Sequence, residues 1–161
     1  MARAVWATIL FLILSSTAFA DDPPKFGCQE TSAERYKAIM RDTIGMDCQA
    51  SESNIGFCMM RDTFLSEIAL AKANDEVLAT MDDPVKKAAF SKAEQAWCEY
   101  REAICNWEPS AGIGGSMSGQ LSSQCRKERN ESRIKILHEW IACVTEGSCE
   151  NPPLFFMIDK P

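Results

Sequence analysis

The cysteine side chains are the clearest candidates for chemistry in this 161-residue chain. There are eight of them, and an even number in an exported protein favours disulfide bonds. Zinc is the competing use, but the sequence has no Cys-x2-Cys and its one histidine is His138, so no metal site is expected. We predict that all eight cysteines form disulfides: Cys28, Cys48, Cys58, Cys98, Cys105, Cys125, Cys143 and Cys149.

The other side chains that could support catalysis lie in unfavourable contexts. Ser116 and Ser118 lie in a glycine-rich segment without the Gly-x-Ser-x-Gly pattern of a hydrolase or the lysine of a phosphate-binding loop. His138 is alone on a helix between Leu137 and Glu139, and a lone histidine is more often a surface or packing residue than a catalytic base. We therefore expect no enzymatic activity and no cofactor.

The N-terminal residues predict export. Arg3 precedes an apolar run, and the Ala-Phe-Ala sequence ending at Ala20 has the small residues that signal peptidase requires. We expect a cleaved signal peptide, residues 1–20, and a periplasmic or secreted single domain, residues 21–161, without a membrane anchor. Loss of Arg3 leaves 16 of the 17 basic residues against 23 acidic ones, a net charge of −7. This charge argues against nucleic acid and suits a cationic protein partner.

Helical periodicity predicts the architecture. The spacing of apolar residues indicates four helices: a short one over 32–44, then long ones from Phe57 to Leu78, from Phe90 to Trp107 and from Gln120 to Val144. The third should bury one stripe of residues: Phe90, Ala93, Trp97, Tyr100, Ile104 and Trp107. We expect Pro109 to end that helix, and the charged first half of the last helix to face solvent. No alternating pattern indicates a strand, so the fold class is all-α, a small disulfide-stapled bundle of three to four helices.

Two segments fall outside this helical pattern. Residues 111–119 have the composition of a flexible loop. Residues 147–161 contain prolines and predict an extended tail, in which Leu154–Ile158 packs against the helices.

Helix geometry limits the disulfide pairing. Cys98 and Cys105 are seven residues apart on one helix, about 10.5 Å, and a disulfide needs less than about 7 Å. In an up-down-up bundle, Cys58, Cys105 and Cys125 share one pole with Cys48. We expect Cys105–Cys125, with Cys48–Cys58 completing the set, while crossed pairings stay open. The pairing of the other four cysteines is not assigned.

A series of motifs resembles a known family. The series is Trp97-x3-Arg101-x3-Cys105, then Gly114-Gly115-Ser116, then Cys125, then Arg133-x3-Leu137. From Cys48 to Leu137 the chain resembles the LprI-like lysozyme-inhibitor domain of bacterial exported proteins. The resemblance implies a helical fold and a protein partner, a cationic lysozyme. The chain departs from the usual family pattern at four positions: Glu67, Ala71, Glu94 and Asn130.

The motif residues themselves predict structural roles. Trp97 lies in the middle of the apolar stripe and is expected in the core. Arg101, one turn later, can lay its stem along that ring and direct its guanidinium to Glu67 or to a helix-end carbonyl. Arg133 is expected to pair with a neighbouring glutamate.

Two surfaces are candidates for partner binding. The first is the loop tip held by cysteines: Ile113, Gly114, Gly115, Ser116 and Met117. The second is a set of acids that could steer a cationic protein: Asp75, Glu76, Asp82 and Asp83. The simpler interpretations are an inert connector and a solvated face. Two other functions stay open, a carrier of small apolar ligands and an envelope module that binds another bacterial protein.

Overall fold

The computed structural model describes residues 27–28, 33–112 and 117–147. The helices are α1 (Ala33–Asp42), α2 (Glu52–Ala79), α3 (Pro84–Gly112) and α4 (Met117–Glu146). The described residues contain no strand, and the predicted all-α class is confirmed. None of the described helices is long and apolar enough to cross a membrane. The predicted signal peptide and the tail segment Leu154–Ile158 lie outside the described residues.

Local sequence signals account for the starts of the second and third helices. Ser51 precedes α2, and its hydroxyl accepts a hydrogen bond from the Asn54 N–H at 3.1 Å, as an N-cap does. Asp83 caps α3 in the same way, accepting from the Val85 N–H at 2.8 Å. Pro84 occupies the first helical position, where its missing N–H costs nothing. Asp83 and Pro84 therefore mark the start of α3 as well as the separation of α3 from α2.

The three long helices run up, down and up. The hydroxyl of Thr63 in α2 donates to the Ser123 carbonyl in α4 at 3.0 Å, and Glu76 meets His138 further along both helices at 3.4 Å. Along this direction the residue numbers increase in both helices, so α2 and α4 are parallel. Helix α3 is antiparallel to α4, which contacts both other long helices. The short α1 packs on α2 through an edge-on contact of Tyr36 with Phe64.

The apolar core occupies one half of the bundle. It is formed where the end of α2, the start of α3 and the second half of α4 meet, by Leu70, Ala73, Val77, Phe90 and Leu137. Partly buried side chains surround it, including Trp97, Ile134 and Trp140. In the other half, the interior between the helices is polar, and disulfides close the pole beyond it.

Pro109 was expected to end the third predicted helix, but α3 continues to Gly112. A proline at this position removes the N–H that would bond the Cys105 carbonyl one turn earlier. The hydroxyl of Ser122 in α4 donates to that carbonyl at 2.6 Å instead. A neighbouring helix therefore replaces the missing hydrogen bond, and the helix tolerates the proline.

The predicted loop 111–119 is also shorter than expected. Its first two residues belong to α3, and α4 begins at Met117. The connection is reduced to residues 113–116, which lie outside the described residues.

The buried side of α3 differs from the predicted stripe. Phe90 is buried, but Tyr100 and Trp107 are 47% and 63% exposed. Two polar side chains on α3, Glu94 and Arg101, are buried instead. Periodicity alone favoured the apolar positions, whereas ion pairs with α2 and α4 make burial of these charged groups possible.

The first half of α4 is likewise less solvent-exposed than predicted. Asn130 is fully buried, and the Arg126 side chain is largely covered because it pairs with Glu102 of α3. Both residues face the polar interior between the helices.

Candidate functional site

A buried guanidinium lies at the centre of the polar interior. Arg101 of α3 is fully buried, and its Nη1 donates to the carboxylate of Glu67 on α2 and to the side-chain carbonyl of Asn130 on α4. Its Nη2 donates to Glu102 at 2.6 Å. Because this one side chain bonds to all three long helices, it fixes their relative positions. The predicted contact between Arg101 and Glu67 is present.

Glu67 completes the opposite side of this cluster. Its Oε2 accepts from the Cys28 N–H at 2.7 Å, and its Oε1 accepts from the Asn130 amide at 3.1 Å. The same amide donates to the Ser66 hydroxyl at 2.9 Å. The carboxylate is thus bonded by a buried cation, an amide and a backbone N–H, which compensates its removal from water.

A second buried ion pair lies one to two turns away. Arg133 of α4 bonds to Glu94 of α3 through two nitrogens. A glutamate partner was expected, but at a neighbouring position rather than on another helix. Both buried arginines lie near the Trp97 ring, with guanidinium carbons 5.8 Å (Arg101) and 5.6 Å (Arg133) from its centroid. Both distances allow cation–π attraction. Trp97 also packs against the apolar core, so it joins the apolar and polar halves of the interior.

The buried cluster is suited to holding helices together. Arg101 and Arg133 are matched by Glu67 and Glu94, and the bonding atoms point at neighbouring helices. Three of its members, Glu67, Glu94 and Asn130, stand where the chain departs from the family pattern. Among the described residues, no group of three or more His, Cys, Asp or Glu could hold a metal ion.

Disulfides stabilise the pole at which α3 and α4 are joined. Cys105–Cys125 links the two helices, and Cys48–Cys58 links the turn before α2 to its second turn. Both predicted pairs are confirmed. Of the candidate loop residues, Met117 is the first residue of α4 and is 51% exposed. The others, Ile113, Gly114, Gly115 and Ser116, lie outside the described residues.

A third disulfide, Cys28–Cys98, was not assigned from the sequence. It ties the segment before α1 to α3, across the groove between α2 and α3. The Gly27 N–H donates to the Glu67 carbonyl at 3.0 Å, so the same segment is also held to α2. Cys143 is disulfide-bonded, and Cys149 lies outside the described residues.

The four acids proposed from the sequence differ in their surroundings. Asp75 and Asp82 are exposed. Glu76 lies 3.7 Å from Lys72 and 3.4 Å from His138. The Asp83 carboxylate caps α3. These acids lie at the opposite end of the bundle from the pole at which α3 and α4 are joined. The structure therefore does not bring the acids and that pole together.

The exposed aromatic side of α3 was missed by the sequence analysis. Periodicity placed Tyr100 and Trp107 in the packing stripe together with Phe90. Only the positions of the neighbouring helices show that Phe90 is buried and the other two are exposed. Ala96 and Ala103 lie on the same side of the helix and are also exposed. Two aromatics seven residues apart, alternating with two alanines at the same spacing, were the available signal.

Comparison with known proteins gives one family and one relative. A family model described as "Lysozyme inhibitor LprI" matches residues 46–137. An uncharacterized protein of Rhizobium meliloti (strain 1021) is 29% identical over 136 residues, which cover 83% of this chain and 92% of the relative. No solved structure matches the chain.

Proposed function

Because the chain belongs to the family of the lysozyme inhibitor LprI, we propose that it is an exported binding domain that inhibits a cationic lysozyme without catalysis. The family match over residues 46–137 carries this proposal, since it covers α2, α3 and most of α4. The predicted resemblance to this family is confirmed. The function of this particular chain follows from the family by inference.

Charge and disulfide content support the same function. The whole chain has a formal net charge of −6, and complementary charge accelerates association with a cationic protein and adds specificity. Disulfides persist in oxidising compartments, which suits the periplasm or the medium. The single domain over residues 21–161 and the cleaved signal peptide remain parts of this proposal.

The binding surface proposed from the sequence is the loop tip, Ile113 to Met117. The acids around the α2–α3 turn would steer the cationic lysozyme towards the protein. The Cys105–Cys125 disulfide joins the two helices that lead into and out of this loop. A constrained segment loses less conformational entropy when it docks, which favours insertion into a cleft.

Calorimetry with hen-type lysozyme tests the function. The oxidised protein, residues 21–161, is titrated at about 50 mM and about 300 mM salt, and clearing of a peptidoglycan suspension is measured in parallel. We expect saturable binding that weakens as salt screens the charges, together with loss of lytic activity. A basic protein of similar size without lytic activity serves as the control for unspecific attraction.

Three outcomes contradict the proposal. Absence of heat and of inhibition at both salt concentrations excludes this lysozyme as the target. Equal binding of the basic control protein would mean that the interaction is unspecific attraction between opposite net charges. Saturable uptake of a fluorescent fatty acid, with no effect on lysozyme, would favour the ligand-carrier alternative.

A further inference from the structure

One side of the second half of α3 presents aromatic rings to solvent. Trp107 is 63% exposed and Tyr100 is 47% exposed. Seven residues separate them, so they lie on the same side of the helix about two turns apart. Exposed Ala103 lies between them, exposed Ala96 precedes them, and exposed Glu99 lies at their edge. We call these five residues the α3 outer face.

The alanines of the α3 outer face leave room around the rings. Ala103 is three residues after Tyr100 and four residues before Trp107, so it is a neighbour of both on the helix surface. A long side chain at this position would lie over the rings, whereas a methyl group does not. The result is a shallow apolar strip about two turns long, exposed to solvent at both rings.

The charge on the α3 outer face is negative. The carboxylate of Glu99 accepts a hydrogen bond from the Gln95 amide at 3.2 Å, and a neutral amide does not cancel its charge. Arg101 is the one basic residue between Lys92 and the end of α3, and it is fully buried against Glu67. Lys92 lies two turns before Glu99, about 10.5 Å away along the helix, which exceeds the screening length at physiological salt.

The basic side chains of the adjacent helix are directed elsewhere. On α4, Arg126 pairs with Glu102 at 3.0 Å, and Arg129 lies 3.7 Å from Glu108. Glu102 and Glu108 lie on the side of α3 that meets α4. Arg126 and Arg129 are thus used in the contact between the helices, while Lys127 and Lys135 pair with Glu131 and Glu139 of α4 itself.

We propose that the α3 outer face is the surface through which this protein holds its cationic partner, with Trp107 as the central contact. This inference rests on the proposed lysozyme-binding function and adds to the proposed loop tip a contact surface on the helix that leads to it. An exposed Trp or Tyr face attracts Arg and Lys side chains through cation–π interaction. The carboxylate of Glu99 adds charge complementarity, and Trp and Tyr are enriched among the residues that dominate binding energy.

The scaffold below the α3 outer face is rigid. Arg101 fixes the same helix to α2 and α4, and the Cys105–Cys125 disulfide fixes its last turns to α4. A surface on a fixed helix needs little ordering on binding, so more of the contact energy is realised as affinity.

The acids around the α2–α3 turn are less suited to this role. Glu76 lies beside Lys72 and His138, and Asp83 is bonded to the start of α3. Lys86 and Lys87 follow immediately and are exposed. Their charges weaken the negative field that a cationic protein would meet there.

The test compares variants of the two regions in lysozyme calorimetry and in the lysis assay. We expect W107A to weaken binding by at least about 10-fold, as removal of a central aromatic contact does. W107F should recover most of the affinity, because it keeps an aromatic ring. E99Q should weaken binding by about 2- to 5-fold at low salt and have little effect at high salt.

A variant that introduces a positive charge tests the strip between the rings. A103K places a cation and a long side chain next to Tyr100 and Trp107, so it should weaken binding by at least about 10-fold. Lysine is a good helix former, and the position is exposed, so the fold should tolerate the change.

Matched controls lie at the other end of α3. A89K makes the same substitution at an exposed alanine, and V85A removes an apolar side chain that is 74% exposed. D82N removes an exposed acid before α3 and measures the steering proposed for the α2–α3 turn. A89K and V85A should bind lysozyme nearly as the unaltered protein does, and D82N should weaken binding less than E99Q does at low salt. Circular dichroism of each variant checks that it is folded, which is expected because every substituted position is exposed.

The outcomes separate this inference from the function on which it rests. If the unaltered protein binds lysozyme, but W107A and A103K bind equally well, the α3 outer face is excluded and the function stands. A loss with D82N rather than E99Q would place the contact at the α2–α3 turn. If the unaltered protein does not bind lysozyme, both the function and this surface are refuted.

Discussion

Replacement of Arg101 by methionine tests whether the buried cluster holds the helices together. Methionine keeps an unbranched apolar stem against Trp97 but removes the guanidinium. The carboxylate of Glu67 then stays fully buried, bonded only by the Asn130 amide and the Cys28 N–H. An unpaired buried charge is strongly unfavourable, so the variant should lose much of its free energy of unfolding.

The magnitude follows from the contacts of Arg101. Breaking a buried ion pair costs about 3–5 kcal/mol, and loss of one cation–π contact adds about 0.5–1 kcal/mol. The Nε–H of Arg101 is buried without a hydrogen-bond partner, so the native group is incompletely compensated and the lower end applies. We expect a loss of about 3.5 kcal/mol, which a domain stable by about 5–15 kcal/mol survives.

Urea unfolding followed by circular dichroism measures this loss, and a double-mutant cycle identifies its cause. The double variant E67Q/R101M no longer buries an unpaired carboxylate. It should be more stable than the sum of the single losses predicts, by at least about 2 kcal/mol. Replacement of Lys127, whose pair with Glu131 is 3.7 Å long and partly exposed, should cost less than about 0.5 kcal/mol.

Two results would refute this reasoning. A loss below about 1 kcal/mol for R101M would mean that the buried ion pair contributes little relative to an apolar side chain. Additive effects of E67Q and R101M would mean that the two groups stabilise the fold independently.

Two further predictions concern backbone contacts. Ser122→Ala leaves the Cys105 carbonyl without the hydroxyl that bonds it at 2.6 Å, so unfolding free energy should fall by about 1–2 kcal/mol in urea titration. Gly27→Ala would place a Cβ 2.7 Å from a Leu70 methyl carbon, and the fully buried Leu70 must shift, so the midpoint of thermal unfolding should fall.

Each of these variants has a control in the same chain. Ser132→Ala changes an exposed hydroxyl on α4 and should leave the unfolding free energy within about 0.5 kcal/mol. Gly119→Ala adds a Cβ with nothing within 4 Å and should be neutral or stabilising, because alanine favours a helix over glycine. Equal effects in variant and control would argue against the contact concerned.

The disulfide pairing at the pole where α3 and α4 are joined was largely predictable from the sequence. Helix order and rise place Cys105 and Cys125 at the same end of an up-down-up bundle, and the structure pairs them. The partner of Cys28 was not predictable, because the segment before α1 has no periodicity that fixes its path. Its pairing with Cys98 depends on how that segment crosses the groove between α2 and α3.

The polar interior was predictable only in part. The one-turn spacing of Trp97 and Arg101 indicated their contact, and Glu67 was one of two expected acceptors. The burial of Asn130 and Glu94 was not expected, since isolated polar residues favour solvent. Their burial becomes favourable only when partners from other helices satisfy them.

By itself the sequence determined the local features of this protein: four helices, an even set of cysteines and the family motif. These follow from periodicity, composition and spacing, which act over one or two helical turns. Tertiary structure alone decided which side of α3 is buried. Arg101 lies inside because Glu67, 34 residues earlier, and Asn130, 29 residues later, receive it. Tyr100 and Trp107 remain outside, since a helix that turns one side to its neighbours must leave the other to solvent.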